Sequence, residues 1–259
     1  MPAPINRLKH ALGAGEMQIG LWLNLGDVTT TEIAGAAGYD WCLIDGEHAP
    51  YDPVTIQNQL RALDAAGGAA IVRVPVGEDW VIKQVLDLGA QSLLVPMVDT
   101  VEQAASVVAA TRYAPEGKRG MGAAVARASG YGRIADYASN INDEICVIVQ
   151  AETRLAMQNL DEIAAVEGVD CVFIGPADLS ADMGHRGNPG HPDVKAAIAD
   201  GVARIRAAGK AAGILHYDAG NFGYYRDLGV KFLGVGSEAS LFRAAIHANL
   251  DAARDAVKD

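Results

Sequence analysis

The sequence predicts an α/β protein, a (β/α)8 TIM barrel formed by a single domain over residues 1–259. Three observations lead there. Short β-like apolar runs alternate with helix-forming stretches along the whole chain. Several of these runs end in groups that carry protons or bind metals, where a buried strand normally runs out into turn residues. The length of 259 residues suits one such barrel.

The candidate strands, in order, are 19–23, 41–44, 70–74, 92–97, 145–149, 170–174, 212–215 and 232–235. Asp27 or Thr29 can cap the first helix, and Gly38 ends it before the second strand. Asp99 or Thr100 starts an Ala/Val helix that runs to Arg112. Two irregular stretches break the rhythm. Residues 113–140 hold several glycines and arginines; following the fourth strand, this loop is expected over the active-site face. Residues 181–192 follow the sixth strand. The last helix, over 240–258, carries Leu241, Phe242, Ala245, Ile246 and Leu250 at helical spacing and reads as a helix seeking a groove. The alternative is packing on its own barrel.

Composition excludes several classes. Half the residues are apolar, which argues against disorder. A net charge of -11 argues against nucleic acid and anionic membrane as partners. Cys42, Cys146 and Cys171 sit in apolar runs without a CxxC pair and read as small hydrophobes of a reduced protein. The first residues lack a signal-peptide core, and no run approaches the ~20 apolar residues of a membrane span. A soluble cytoplasmic protein is expected.

The chemistry gathers at the strand ends. The second strand runs into Asp45-Gly46-Glu47-His48, the third into Arg73, the fifth into Gln150-Ala151-Glu152, and the sixth into Gly175-Pro176-Ala177-Asp178. Such groups converge at the C-terminal face of a barrel. Glu152 and Asp178 follow consecutive strands, and two carboxylates with open positions suit a divalent cation such as Mg²⁺, Mn²⁺ or Co²⁺. Their structural alternatives are an acid at a helix start and an N-cap. His48, three positions after Asp45, fits a general base with a carboxylate partner, against a rim histidine bonded to backbone. Asp87, an acid on an otherwise apolar helical face, needs a partner, and His48 is one candidate. Arg73 fits a clamp on a substrate carboxylate or enolate, or a structural ion pair with Glu47 or Asp45.

Other residues carry less. His216 is the weaker competitor for the base, His185 and His191 lie in the loop after the sixth strand, and His10 and His247 read as helix-surface residues. No lysine terminates a strand, which disfavours a Schiff-base mechanism. Gly234 and Gly236 suggest a phosphate site, which the negative charge of Glu238 disfavours.

The ordered set Gly20-Leu21-Trp22, Asp45-Gly46-Glu47-His48, Arg73-Val74-Pro75, Val95-Pro96, Lys118-Arg119-Gly120, Gln150-Ala151-Glu152 and Gly175-Pro176-Ala177-Asp178-Leu179-Ser180 resembles the HpcH/HpaI aldolase family, metal-dependent class II pyruvate aldolases. The resemblance implies a phosphoenolpyruvate/pyruvate-type barrel whose last helix is exchanged between subunits, in trimers that pair into a homohexamer. It implies Glu152 and Asp178 as ligands of Mg²⁺, Mn²⁺ or Co²⁺, and His48 as base with Asp45 and Asp87 behind it. Arg73 would hold the enolate, with Gln150, Ala177, Asp178 and Leu215 against the substrate. The implied reaction is reversible aldol addition between a 2-oxo acid, pyruvate or hydroxypyruvate, and an aldehyde. Two alternatives stand beside it: another lyase or mutase on the same barrel, and a non-catalytic metal and carboxylate binder that has no need of His48. Residues 122–132 and 183–190, and the Gln150-Ala151-Glu152-Thr153 segment, depart from the common family pattern.

Overall fold

The computed structural model describes residues 3–258. Eight parallel strands pair in sequence order and close on themselves: β1 Gln18–Leu23, β2 Trp41–Asp45, β3 Ala70–Arg73, β4 Ser92–Val95, β5 Cys146–Ala151, β6 Cys171–Ile174, β7 Ala211–Leu215 and β8 Phe232–Ser237. All eight expected strands are present, with shifted ends. β4 stops before Pro96, which has no N–H for the ladder. Asp27 caps the helix Val28–Ala36 through the N–H groups of Thr29 and Thr30. Thr100 and Gln103 form a capping box on Val101–Thr111.

Two apolar layers hold the barrel. One lies between strands and outer helices; the other fills the interior. The interior is aromatic: Trp41 stacks on Phe232 at 4.2 Å, and Trp22 meets Trp41 at 5.5 Å and Phe173 at 5.6 Å. Glycines make the room. A Cβ at Gly20 would sit 1.9 Å from the Trp41 ring, and one at Gly234 2.7 Å from Trp22. Gly234 therefore accommodates an indole. Leu8 and Leu12, on the helix Arg7–Gly13, close the N-terminal end of this layer.

One expectation is corrected. Residues 113–140 follow the returning helix Val101–Thr111, not β4 itself, so they lie at the N-terminal end of the barrel. There Arg127 donates to the Leu88 carbonyl at 2.9 Å and pairs with Asp64. The last helix, Glu238–Ala256, is not packed along its own barrel: Leu241, Phe242, Ile246 and Leu250 are exposed. Among the described residues, no helix is long and apolar enough to cross a membrane.

Candidate active site

A cavity of about 650 Å³ opens at the C-terminal ends of the strands, floored by Trp22 and Phe173. In the β2–β3 register Asp45 lies beside Arg73, and the side chains use that proximity. Arg73 Nε donates to Asp45 Oδ1 at 2.9 Å and Nη2 to Oδ2 at 2.6 Å. Its Nη1 lies 2.9 Å from Glu47 Oε2. A guanidinium has five N–H donors, so these three contacts leave two for a ligand.

Asp45 is saturated. It also accepts from Asn24 Nδ2 at 2.7 Å and from the backbone N–H groups of Glu47 and His48 at 3.0 and 3.2 Å. The sequence placed Asp45 behind the His48 imidazole; it instead orients Arg73 and shapes the turn. The carboxylate near the imidazole is Glu47, whose Oε2 is 3.8 Å from His48 Nε2. The His48 side chain is 66% exposed and lines the cavity. Burial raises the Glu47 carboxyl above its usual range against the pull of Arg73. In the sequence Glu47 is one of two alternative ion-pair partners for Arg73; the structure gives Arg73 both. The signal was present: a guanidinium fork has two sides, and Asp45 fills one.

Glu152 stands at the end of β5, buried. Its Oε1 accepts the Met97 N–H at 2.8 Å, and its Oε2 accepts from Gln150 Nε2 at 2.7 Å. Met97 reaches it from a left-handed backbone, φ 55°, a conformation that costs a non-glycine residue about 1 kcal/mol or more. Gly175 leaves space for the carboxyl, since a Cβ there would come within 2.4 Å of Glu152 Oε2. Burial pushes the Glu152 pKa up to about 7; Asp178 and Glu47 add to the shift and the Met97 N–H opposes it. Asp178 is exposed in the first turn of the helix Pro176–Asp182, beside Ala177. The Gln150 Oε1 is buried without a partner.

This donor set fits a divalent cation. Glu47, Glu152 and Asp178 lie within electrostatic reach of one another, with Arg73 as the cation among them. Carboxylate and amide oxygens are what a hard ion takes.

The structure separates the remaining candidates. Leu215 lines the cavity at the end of β7. His216 also lines it, but its Nδ1 accepts the Asp218 N–H at 3.1 Å, which ties the ring into its own turn. Asp87 is elsewhere. It is the last residue of the helix Asp79–Asp87, which returns from the catalytic end, and it accepts from Arg119 Nη2 at 2.7 Å. Within one chain it does not join His48. Among the described residues lining the cavity, the one lysine is Lys195, on the helix Pro192–Ala207 and exposed.

A model of the HpcH/HpaI aldolase/citrate lyase family matches residues 18–245. A hydroxypyruvate/pyruvate aldolase of Agrobacterium fabrum (strain C58) is 56% identical over 248 residues, covering 96% of this chain and 93% of the relative. A 4-hydroxy-2-oxo-heptane-1,7-dioate aldolase of Salmonella dublin is 52% identical over 236 residues, covering 91% and 90%. The crystal structure of an HpcH/HpaI aldolase/citrate lyase family protein from Burkholderia cenocepacia J2315 matches with a TM-score of 0.93 at 40% identity, covering 96% of this chain and 99% of the other.

Proposed function

The chain belongs to the HpcH/HpaI aldolase/citrate lyase family, and we propose that it catalyses reversible aldol addition and cleavage between a 2-oxo acid donor, pyruvate or hydroxypyruvate, and an aldehyde. It is a carbon–carbon lyase of the class II type, which uses a divalent cation. The observation that carries this reading is the opposition of Arg73 to the buried, high-pKa Glu152 and to Asp178 around one cavity.

Glu152 and Asp178 would hold the cation, with Mg²⁺, Mn²⁺ or Co²⁺ matching their oxygens. A bound cation supplies Lewis-acid polarisation of the 2-oxo acid, which acidifies its C3 protons. The chain's own residues do the rest. In addition His48 removes a C3 proton and returns it to the alkoxide oxygen formed from the aldehyde; in cleavage it takes the hydroxyl proton and returns it to C3 of the enolate, with Glu47 stabilising the imidazolium. Arg73, prealigned by Asp45 and Glu47, turns its two free N–H groups to the developing enolate oxygen. Gln150 and the backbone at Ala177 position the donor carboxylate, and Leu215 bounds the donor side.

The exposed stripe Leu241, Phe242, Ile246 and Leu250 supports an assembly in which the last helix packs on a neighbouring subunit, in trimers that pair into hexamers. Pairing of Asp87 with His48 then requires another copy of the chain. The three buried thiols suit a cytoplasmic location.

The test is a screen of pyruvate and hydroxypyruvate against a panel of aldehydes after chelation and metal add-back. Aldol product should form with both donors and only with cation present. Absence of any product across the panel would overturn the reading.

A further inference from the structure

We infer that Asn24 and Glu238 are positioning residues for Arg73, and that through them the start of the last helix sets the aim of the guanidinium in the cavity. The inference rests on the role given to Arg73 above. Arg73 does not fix its own direction. Its fork lies on Asp45, whose side chain is completely buried, so the guanidinium points where that carboxylate allows. Asp45 Oδ1 takes Arg73 Nε and the two backbone N–H groups of its own turn. Asp45 Oδ2 takes Arg73 Nη2 at 2.6 Å and Asn24 Nδ2 at 2.7 Å. Asn24 therefore fixes Oδ2 against rotation, as the turn fixes Oδ1. Removing it takes a charge-assisted hydrogen bond from a buried carboxylate.

Asn24 itself sits in a loop. It follows β1, precedes Asp27, which caps the helix Val28–Ala36, and lines the cavity. Glu238 ties this loop down: its Oε1 accepts the Leu25 N–H at 2.8 Å. Glu238 is the first residue of the last helix and only 7% exposed, while Leu241 and Phe242 just beyond it are exposed. The helix dipole favours an acid in a first turn, but it gives no reason to bury one. The grip on the β1 loop does. Ser237 and Ser240 form a capping box at the same point, which fixes the direction in which Glu238 leaves β8. The contacts run from Glu238 through Leu25, Asn24 and Asp45 to Arg73, across β8, β1, β2 and β3, which are consecutive around the barrel.

The test places Asn24→Ala, Asn24→Asp, Glu238→Ala and Glu238→Gln on two backgrounds, wild type and Arg73→Lys. Arg73 acts on the developing enolate, so loss of its aim should fall on kcat and leave KM for the 2-oxo acid within about twofold. Asn24→Ala should lower kcat about tenfold. Asn24→Asp keeps the shape and loses the N–H donor, so it should cost at least as much, which separates the hydrogen bond from the space the side chain fills. Glu238→Ala should lower kcat about threefold. Glu238→Gln keeps an oxygen for the Leu25 N–H and should restore the wild-type value. On Arg73→Lys, which lacks the fork, each loss should shrink below about twofold. Equal losses on both backgrounds, or wild-type kcat in the Asn24 variants, would overturn the inference. A second readout needs no reaction. Modification of Arg73 by phenylglyoxal, followed by peptide mass spectrometry, should be several-fold faster in Asn24→Ala and Glu238→Ala than in wild type and Glu238→Gln. Unchanged protection would overturn the inference. An inactive wild-type protein would overturn the aldolase reading alone, and the protection assay then decides this one.

Discussion

The two ends of this barrel both carry charged side chains, but they differ in what is left over. At the N-terminal end Lys9 Nζ reaches Asp170 Oδ1 and Oδ2 at 2.9 and 3.0 Å and the Ile145 carbonyl at 2.9 Å. Asn6 Nδ2 donates to the Gln91 and Glu144 carbonyls and to Ser92 Oγ, and Asp170 also accepts the Val147 N–H. Within this Lys9, Asp170 and Asn6 network charges match and donors are spent, whereas farther out at the same end Arg119 Nε and Nη1 and the Tyr113 hydroxyl are buried without a hydrogen-bond partner. At the C-terminal end burial, with Asp178 and Glu47 nearby, raises Glu152, Arg73 keeps spare N–H groups, and the Gln150 Oε1 has no partner. Buried polar groups are normally satisfied. A closed network holds a fold together, and an open one beside a cavity is where a ligand completes the bonding.

That contrast can be broken at several points. The largest effect is expected for His48→Ala, which should lower turnover by about 10²–10⁴-fold, as loss of a general base does. The exposed ring contributes little to packing, so the melting temperature should hold. Exchange of pyruvate C3 protons at the wild-type rate in this variant would remove His48 from the chemistry.

Arg73→Lys keeps the charge and loses the fork that Asp45 grips. A fall of about 10²–10³-fold in kcat/KM is expected. Near-normal kinetics in the folded variant would make Arg73 another closed, structural contact and erase the difference between the ends.

A smaller effect concerns pH. Glu152 must lose its proton to take a cation, so affinity should fall by up to about tenfold per pH unit below about 7, measured by calorimetry. Stability without cation follows the same group. Its folded pKa lies above the unfolded carboxyl value, so the folded state binds the extra proton between them. Its contribution is then greatest at low pH and is lost as pH rises towards about 7. Melting curves of chelated protein should show that slope, and Glu152→Gln should flatten it.

Activity should change least at the opposite end. Lys9→Met should cost about 2 kcal/mol of stability by removing charge-assisted hydrogen bonds, while kcat stays at the wild-type value. A drop in kcat matching that of Arg73→Lys would mean that the N-terminal network is not merely structural.

Much of the site is legible in the sequence for a physical reason. An acid or guanidinium closing an apolar strand-length run has few structural uses, which singles out Glu152, Asp178 and Arg73. Fine assignments are not legible, because they depend on register and direction. Asp45 reads as a partner for His48 by spacing along the chain, but pairing of β2 with β3 gives it to Arg73. Asp87 reads as a partner for His48 because an acid on an apolar helical face needs one, and residues 113–140 read as an active-face loop because they come after the fourth strand. Asp87 ends a returning helix and residues 113–140 lie beyond another, and these helices carry both to the other end. Gly234 suggests an anion-binding backbone, while its actual neighbour is the Trp22 ring. The Gln150 Oε1 becomes informative only when its partners are counted in space.

The most direct test of the open C-terminal end is deuterium exchange at C3 of pyruvate, followed by proton NMR without any aldehyde. It isolates proton removal from acceptor choice. With Mg²⁺, Mn²⁺ or Co²⁺ present the protein should exchange these protons, and excess chelator or Glu152→Gln should stop it. Exchange that persists undiminished in chelator, or a borohydride-trapped lysine adduct with pyruvate, would contradict the account.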